Sequence, residues 1–476
     1  VSTVFISGNF SILHPGHIRL FQLAKSLGDR LIVGVNSDET AISPLNVPIA
    51  MRLESVNAIQ MVDQTIVING DLEKVLLEVK PDVVLKGREH EYLENIEQDI
   101  VTKYGGKLVF GSGDFVMSSK EFFSSIEMRP NVFESAGKPF AIRHSIELAT
   151  IEDLLEKSKR IRVVVVGDLI VDEYIDCESI GLSQEDPSVI FRPFKSKRYV
   201  GGAGIVSMHS ASIGASTTYI GVAGDDNEMQ LAKERLEKSG VNAHLFIDRS
   251  RQTILKQRFK SGGKTQFRLN RFDDATITRD TRREILKRVE MSLENSDLLI
   301  FSDFNYGFLD AEIVTTIIRM ARSAGVFVSA DCQISSQIAN YLKYKGVDLV
   351  TPTEHEVRVT LRNNQDGLAA IANVFQESLE SKYLMLTLGA DGVLLQEQIE
   401  YEHGDFRADV LPALNPNAQD VAGAGDSFLV LASLALAVGG SVNEAAYLAS
   451  LGASVQVSRV GNVPITTDEI RAELYK

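Results

Sequence analysis

Two short stretches carry residue types that could handle phosphate. Asp420-Val-Ala-Gly-Ala-Gly-Asp-Ser-Phe428 sets Gly423 and Gly425 just ahead of an apolar helical run, Phe428 to Val438. Glycine lets a backbone turn tightly and bring consecutive N–H groups up to a ligand. The first N–H groups of the following helix lack intrahelical acceptors, so turn and helix start form an anion site. Asp426 stands at its mouth, where a carboxylate is repelled by bound phosphate, so its role is to take a proton from an attacking hydroxyl. A plain Gly-rich N-cap would need the same residues. Near the other end lies His14-Pro-Gly-His17. At a helix start, residues three apart share a face. Pro15 suits the first turn, and Gly16 lets a phosphate approach the backbone. Two imidazoles there can donate to a phosphate whose charge grows in a transition state. A pair of surface histidines is the plain alternative.

Alternating strands and helices must position both stretches. Thr3 to Ser7 is a short apolar run, Ile18 to Leu27 has helical periodicity, and Asp29 to Val35 is apolar again. That is a βαβ unit, and its sheet binds ligands beyond the carboxyl ends of its strands. Further strands are expected at Gln64 to Ile68, Val83 to Lys86 and Lys107 to Phe110. Residues 129–144 lack clean periodicity and are expected to link a domain of residues 1–128 to one of 145–476. In the second domain, Arg162-Val-Val-Val-Val-Gly-Asp168 opens an alternation of strands and helices, a three-layer α/β pattern. A more polar set, Ile190 to Pro193, Thr253 to Lys260 and Gln266 to Arg271, is expected to form an antiparallel flap with one wet face.

Composition narrows the partners. A net charge of −15 argues against nucleic acid or an anionic membrane, but not against small phosphorylated ligands. Two distant cysteines, Cys177 and Cys332, suit a reducing cytoplasm. Neither a spanning apolar run nor a basic-then-apolar leader is present, so a cytoplasmic location is expected.

The segments Gly8 to His17 and Leu27 to Asp38 resemble the cytidylyltransferase-like nucleotidyltransferases. Within that family they look most like the adenylyltransferase half of bacterial heptose kinase/adenylyltransferases. The likeness runs on through Arg52, Val62-Asp63, Pro81 to Gly87 and Met117-Ser-Ser-Lys120. It implies a Rossmann-like domain in which Phe10, His14, Gly16, His17, Arg52, Ser118 and Ser119 lie at the nucleotide phosphates. Lys25 and Lys86 are left to neutralise phosphate charge. The implied reaction is attack of a sugar phosphate on the nucleotide α-phosphorus, with Mg²⁺ and loss of pyrophosphate. Two departures bear on it: Ser11 stands where the family usually has Asp, and residues 40–48 hold no lysine.

Gly201 to Ala215 and Asp420 to Phe428 resemble the two glycine signatures of ribokinase/PfkB sugar kinases, and Ser302 to Gly307 is similar to a motif of the heptose kinases. The resemblance implies a ribokinase-like three-layer α/β domain with a small β flap. It makes Asp426 the base on the sugar hydroxyl, and makes Gly423, Ala424 and Gly425, with the N–H of Asp426, an anion hole. Asp168, Asp172, Gly201 and Gly202 would hold the sugar. Thr387, Gly389 and Gly392 would hold the nucleotide, and Glu356 would organise Mg²⁺ indirectly. Thr353, Ile205 and Asp331-Cys-Gln333 depart from the family pattern. Together the two resemblances imply ATP-dependent phosphorylation of a sugar phosphate, by likeness heptose 7-phosphate, then nucleotidyl transfer to give ADP-heptose. The domain order is the reverse of that in the heptose enzymes, and a homo-oligomer, a dimer, is expected. Two alternatives stay open: the same reactions on another sugar or with CTP or GTP, or a live kinase carrying a non-catalytic nucleotide-binding module.

Overall fold

The computed structural model describes residues 2–11, 13, 15–40, 47–87, 95–111, 137–186, 188–262, 264–273, 275–333, 340–397, 408–415 and 418–475. The chain divides into two compact units, residues 1–134 with 363–371 and residues 135–362 with 372–476.

In the first unit, β1 (Thr3–Gly8), β2 (Arg30–Asn36), β3 (Gln64–Ile68), β4 (Val83–Gly87) and β5 (Lys107–Gly111) form a sheet in the order β3-β2-β1-β4-β5. All neighbours are parallel. Val4, Phe5 and Ile6 are buried in succession, as a strand covered on both faces requires. Strand order reverses at β1, so the crevice beyond its carboxyl end is where such a sheet takes ligands. The segment from Asn9 into the helix Pro15–Leu27 leaves β1 at that point.

The second unit has a nine-stranded sheet and a four-stranded one. The large sheet contains β6 (Arg162–Gly167), β9 (Ser216–Ala223), β10 (Asn242–Ile247), β13 (Leu298–Asp303), β14 (Phe327–Cys332), β15 (Leu349–Val350), β16 (Tyr383–Thr387), β17 (Val393–Glu397) and β18 (Ala408–Leu411). Its order is β10-β9-β6-β13-β14-β15-β16-β17-β18, parallel except at the β16–β17 and β17–β18 pairs. Apolar helices pack on it. The helix Ala424–Ala437 is buried along nearly its whole length, which is why its sequence is apolar all round. Among the described residues no helix is long and apolar enough to cross a membrane.

The small sheet has the order β12-β11-β7-β8, from β7 (Leu169–Leu182), β8 (Val189–Gly202), β11 (Ile254–Ser261) and β12 (Lys264–Arg271). It corrects the expected antiparallel flap. β7–β8 and β11–β12 are antiparallel, but β7–β11 is parallel. Part of the expected linker, residues 129–144, is helical. Lys138–Arg143 is a helix whose Phe140 is buried in the second unit's core. Arg143 pairs with Asp409 at 2.8 Å. A six-residue helix is too short to show a period, so only its packing reveals it.

Candidate phosphoryl-transfer site

The helix Ala424–Ala437 starts on Gly423, whose φ of +78° favours glycine. A Cβ on Gly423 would lie 2.6 Å from Asn462 Oδ1, whereas one on Gly425 would meet nothing within 4 Å. One side of the turn is therefore packed and the other open. The Ala424 N–H makes a long 3.4 Å bond to the Val421 carbonyl, and Ser427 N–H donates to Gly423. Among the described residues, Gly425 and Asp426 are the first-turn N–H groups left for an anion. The loop ahead of them is fixed by Asp420. Its carboxylate accepts from Ala422 N, Gly461 N and Tyr174 Oη, each at 3.1 Å.

Asp426 is 5% exposed, and its Oδ1 has no hydrogen-bond partner. Burial first, then the neighbouring Asp172, pushes its carboxyl up to about 7, while Lys256 pulls it down. A base poised near neutrality suits proton abstraction from a hydroxyl. Asp172, from β7, is buried too. Its Oδ2 accepts from Asn462 Nδ2 at 3.1 Å, and its Oδ1 faces an Arg258 guanidinium nitrogen at 3.2 Å. Burial raises its pKa, against the pull of Arg258 and Lys256. Gly201 is required here, since a Cβ would fall 2.3 Å from Asp172 Oδ2. Gly202 has φ +56°, and its Cβ would lie 2.5 Å from the Asp168 carbonyl. The Asp168 carboxylate accepts from Phe304 N at 2.8 Å, and burial, then Asp303, pushes it up to about 7. Lys256 Nζ lies 4.3 Å from the Phe304 ring centre, and burial lowers its pKa.

Beside these groups stands a second carboxylate pair. Asp331, next to last in β14, is buried and accepts from Tyr341 Oη at 3.2 Å. Burial, then Glu356 and Asp426, raises its pKa well above the usual range. Glu356 is likewise buried, locked in a capping box in which its Oε2 accepts from Thr353 N at 2.7 Å. Thr353, one of the departures from the family pattern, thus supplies the helix cap. Thr387 N donates to the Pro352 carbonyl at 2.8 Å, joining β16 to this turn. Gly389 and Gly392 both have positive φ; the first is open, and the second abuts the Leu411 carbonyl. Among the described residues no three acidic, His or Cys side chains are grouped to hold a metal. Two hard carboxylates still fit Mg²⁺, which is commonly bound through one or two carboxylates, waters and substrate phosphates. Ile205 is buried in the core.

In the first unit the predicted residues are only partly brought together. Phe10 is buried with φ +48°, and its ring centre is 5.0 Å from that of His17. Gly16 is in the first turn of Pro15–Leu27. Ser11 is buried. His14, Ser118 and Ser119 lie outside the described residues. Each of the three cations expected near phosphate has an acceptor in its own unit. Arg52 is 1% exposed and donates to the carbonyls of Val47, Asn9 and Asn36 and to Asp38 Oδ1, at 2.6–2.9 Å. Lys25 pairs with Asp63 and Lys86 with Glu97, each at 2.7 Å. Arg52 therefore clamps the loops after β1 and β2.

Comparison with known proteins places the second unit. Residues 160–468, more than half of the chain, match the pfkB family of carbohydrate kinases. The chain belongs to that family. Residues 5–131 match the cytidylyltransferase-like family. Among curated relatives of this pfkB chain, the bifunctional protein HldE of Rhodopseudomonas palustris (strain HaA2) is 30% identical over 330 residues, covering 68% of this chain and 65% of that protein. HldE of Syntrophotalea carbinolica is 28% identical over 329 residues, with 68% and 65% covered. The chain thus spans just under two thirds of the curated relatives it matches. The pfkB fold is also seen in solved structures. Arabidopsis thaliana ribokinase with ribose and ATP aligns at a TM-score of 0.53 and 17% identity, covering 66% of this chain and 99% of that one. Phosphofructokinase-2 of Escherichia coli aligns at 0.55 and 19%, covering 66% and 98%. These likenesses establish a ribokinase-like fold. Sequence reasoning did not single out Lys256, Arg258 or Asn462 of this candidate site, and took Asp331 only as part of a departure from the family pattern. For the first two a signal existed, since basic residues at every second position of a strand must share one face.

Proposed function

We propose that the chain is a bifunctional enzyme making a nucleotide-activated sugar. The kinase half phosphorylates the anomeric hydroxyl of a sugar phosphate, heptose 7-phosphate by likeness. The N-terminal half transfers a nucleotidyl group from ATP to the resulting 1-phosphate, giving ADP-heptose and pyrophosphate. The observation that carries the kinase reading is Asp426, a buried carboxylate with an unpartnered oxygen and a pKa near 7 at the start of an open anion site. Asp172 and Asp168 orient sugar hydroxyls, Asp426 takes the proton of the attacking one, and the N–H groups of Gly425 and Asp426 face the charge growing on the transferred phosphoryl group. Glu356 and Asp331 would hold Mg²⁺ through water; when bound, the ion neutralises phosphate charge. Thr387, Gly389 and Gly392 form the turn proposed for the nucleotide. A cytoplasmic dimer fits this reading.

A specific observation favours a second reading for the N-terminal half. With Arg52, Lys25 and Lys86 committed to acceptors of their own unit, it would be a nucleotide-binding module without turnover. A screen of sugar phosphates with ATP, CTP and GTP, read by product mass, tests both. A sugar bisphosphate without a nucleotide sugar would leave the kinase and remove the transferase. No product from any pair would remove both.

A further inference from the structure

Behind the anion site, two side chains hold the backbone of the same two residues. Asp420 accepts from the N–H groups of Ala422 and Gly461, each at 3.1 Å. Gln456, next to last in the helix Val442–Val457, donates through Nε2 to the carbonyls of those same residues, at 3.1 and 3.0 Å. An acid takes both N–H groups and an amide takes both carbonyls, so the loop ahead of the anion site is tied to the turn at Gly461 twice over. The amide nitrogen lies directly under the glycine turn, since a Cβ on Gly423 would come within 3.3 Å of it. Gln456 is fully buried, and among the described residues its Oε1 has no hydrogen-bond partner. An apolar side chain of the same size would avoid the cost of that unpaired oxygen, so what the amide contributes is its donor.

We propose that Gln456 is a positioning residue for phosphoryl transfer, holding the Ala422 carbonyl so that the N–H groups of Gly425 and Asp426 keep their aim. Gly423 is the reason a lock is needed. The peptide that joins Ala422 to Gly423 can turn over, because glycine takes either sign of φ at little cost. Turning it over would swing the start of the helix Ala424–Ala437, and with it the N–H groups left for an anion. Asp420 cannot prevent this, because the N–H it holds belongs to the peptide on the other side of the Ala422 Cα. A donor to the Ala422 carbonyl can. The segment beyond Gln456 also reaches the sugar side, where Asn462 donates to Asp172. This rests on the kinase reading and adds what keeps its anion site in shape.

The test uses the full chain with ATP and heptose 7-phosphate, or the acceptor that the product screen identifies, well below the unfolding temperature. Gln456→Met keeps the length of the side chain and removes the donor. Its kcat for phosphorylation should fall by about 10–100-fold, as expected for displaced anion-site donors. KM for ATP and for the sugar should stay within about threefold, because those N–H groups act on charge that grows only in the transition state. In Gln456→Asn the amide stops short of both carbonyls, and the same split between kcat and KM should appear, which keeps the test open if the first variant does not fold. A lower melting temperature with kcat unchanged in the folded chain would overturn the assignment, and so would a loss in kcat/KM that lies wholly in KM. In either case a wild-type chain that phosphorylates the sugar would leave the kinase reading standing. A wild-type chain that phosphorylates no sugar would defeat both.

Discussion

Asp426 joins a cost in stability to a gain in chemistry. Its folded pKa, about 7, lies above the ordinary 3.8 of a carboxyl. Between those values the folded chain holds a proton that the unfolded chain has lost, so stability falls as pH rises through that window. Asp426→Asn should therefore stabilise the second unit at about pH 8, by at most roughly 4 kcal/mol at 1.36 kcal/mol per pKa unit, and change little near pH 4. Thermal unfolding at the two pH values checks this. For catalysis the sign is opposite: the base works when ionised, so kcat/KM for phosphorylation should rise with pH up to about 7 and level off. Because Lys256 lowers the Asp426 pKa, Lys256→Met should move that rise to higher pH. A pH profile unmoved by the change would separate Lys256 from the base.

At the scale of elements, the strands of the large sheet were legible because buried parallel strands are continuous apolar runs. β6 (Arg162–Gly167) starts where the sequence indicated, and in the first unit's sheet Gln64–Ile68 begins and ends where it indicated. The glycine turns were legible too, since Gly201 and Gly423 leave no room for a Cβ. Gly201→Ala should force Asp172 to move and cost both stability and sugar affinity, measurable as a raised KM. What escaped reading depends on contacts between distant segments. β7 was seen as a site, not as a strand, and the charges of β11 looked like an ordinary wet face. The hydrogen bonds of Arg52 are such contacts. Nothing in its neighbourhood in the sequence shows that the carbonyls of Asn9 and Asn36 would surround it. Arg52→Met should destabilise the first unit by about 2–4 kcal/mol through unsatisfied carbonyls, seen as an earlier unfolding transition.

For the whole molecule, the cytidylyltransferase-like match precedes the pfkB match, at residues 5–131 and 160–468. Phe140 fixes where a kinase fragment must begin. A fragment of residues 135–476 should fold and phosphorylate sugar, whereas one of 145–476 loses that ring from the core, a loss of about 3–5 kcal/mol by analogy with Phe→Ala. The central claim is that two chemistries occupy separate sites. The most direct measurement assays both activities on Asp426→Asn, with saturating ATP and, for transfer, supplied sugar 1-phosphate. Phosphorylation should fall by about 10²–10⁴ while nucleotidyl transfer persists, and His17→Ala should show the reverse. If Asp426→Asn left phosphorylation intact, the buried carboxylate would not be the base. If it abolished both activities in a folded chain, the two chemistries would not be separate.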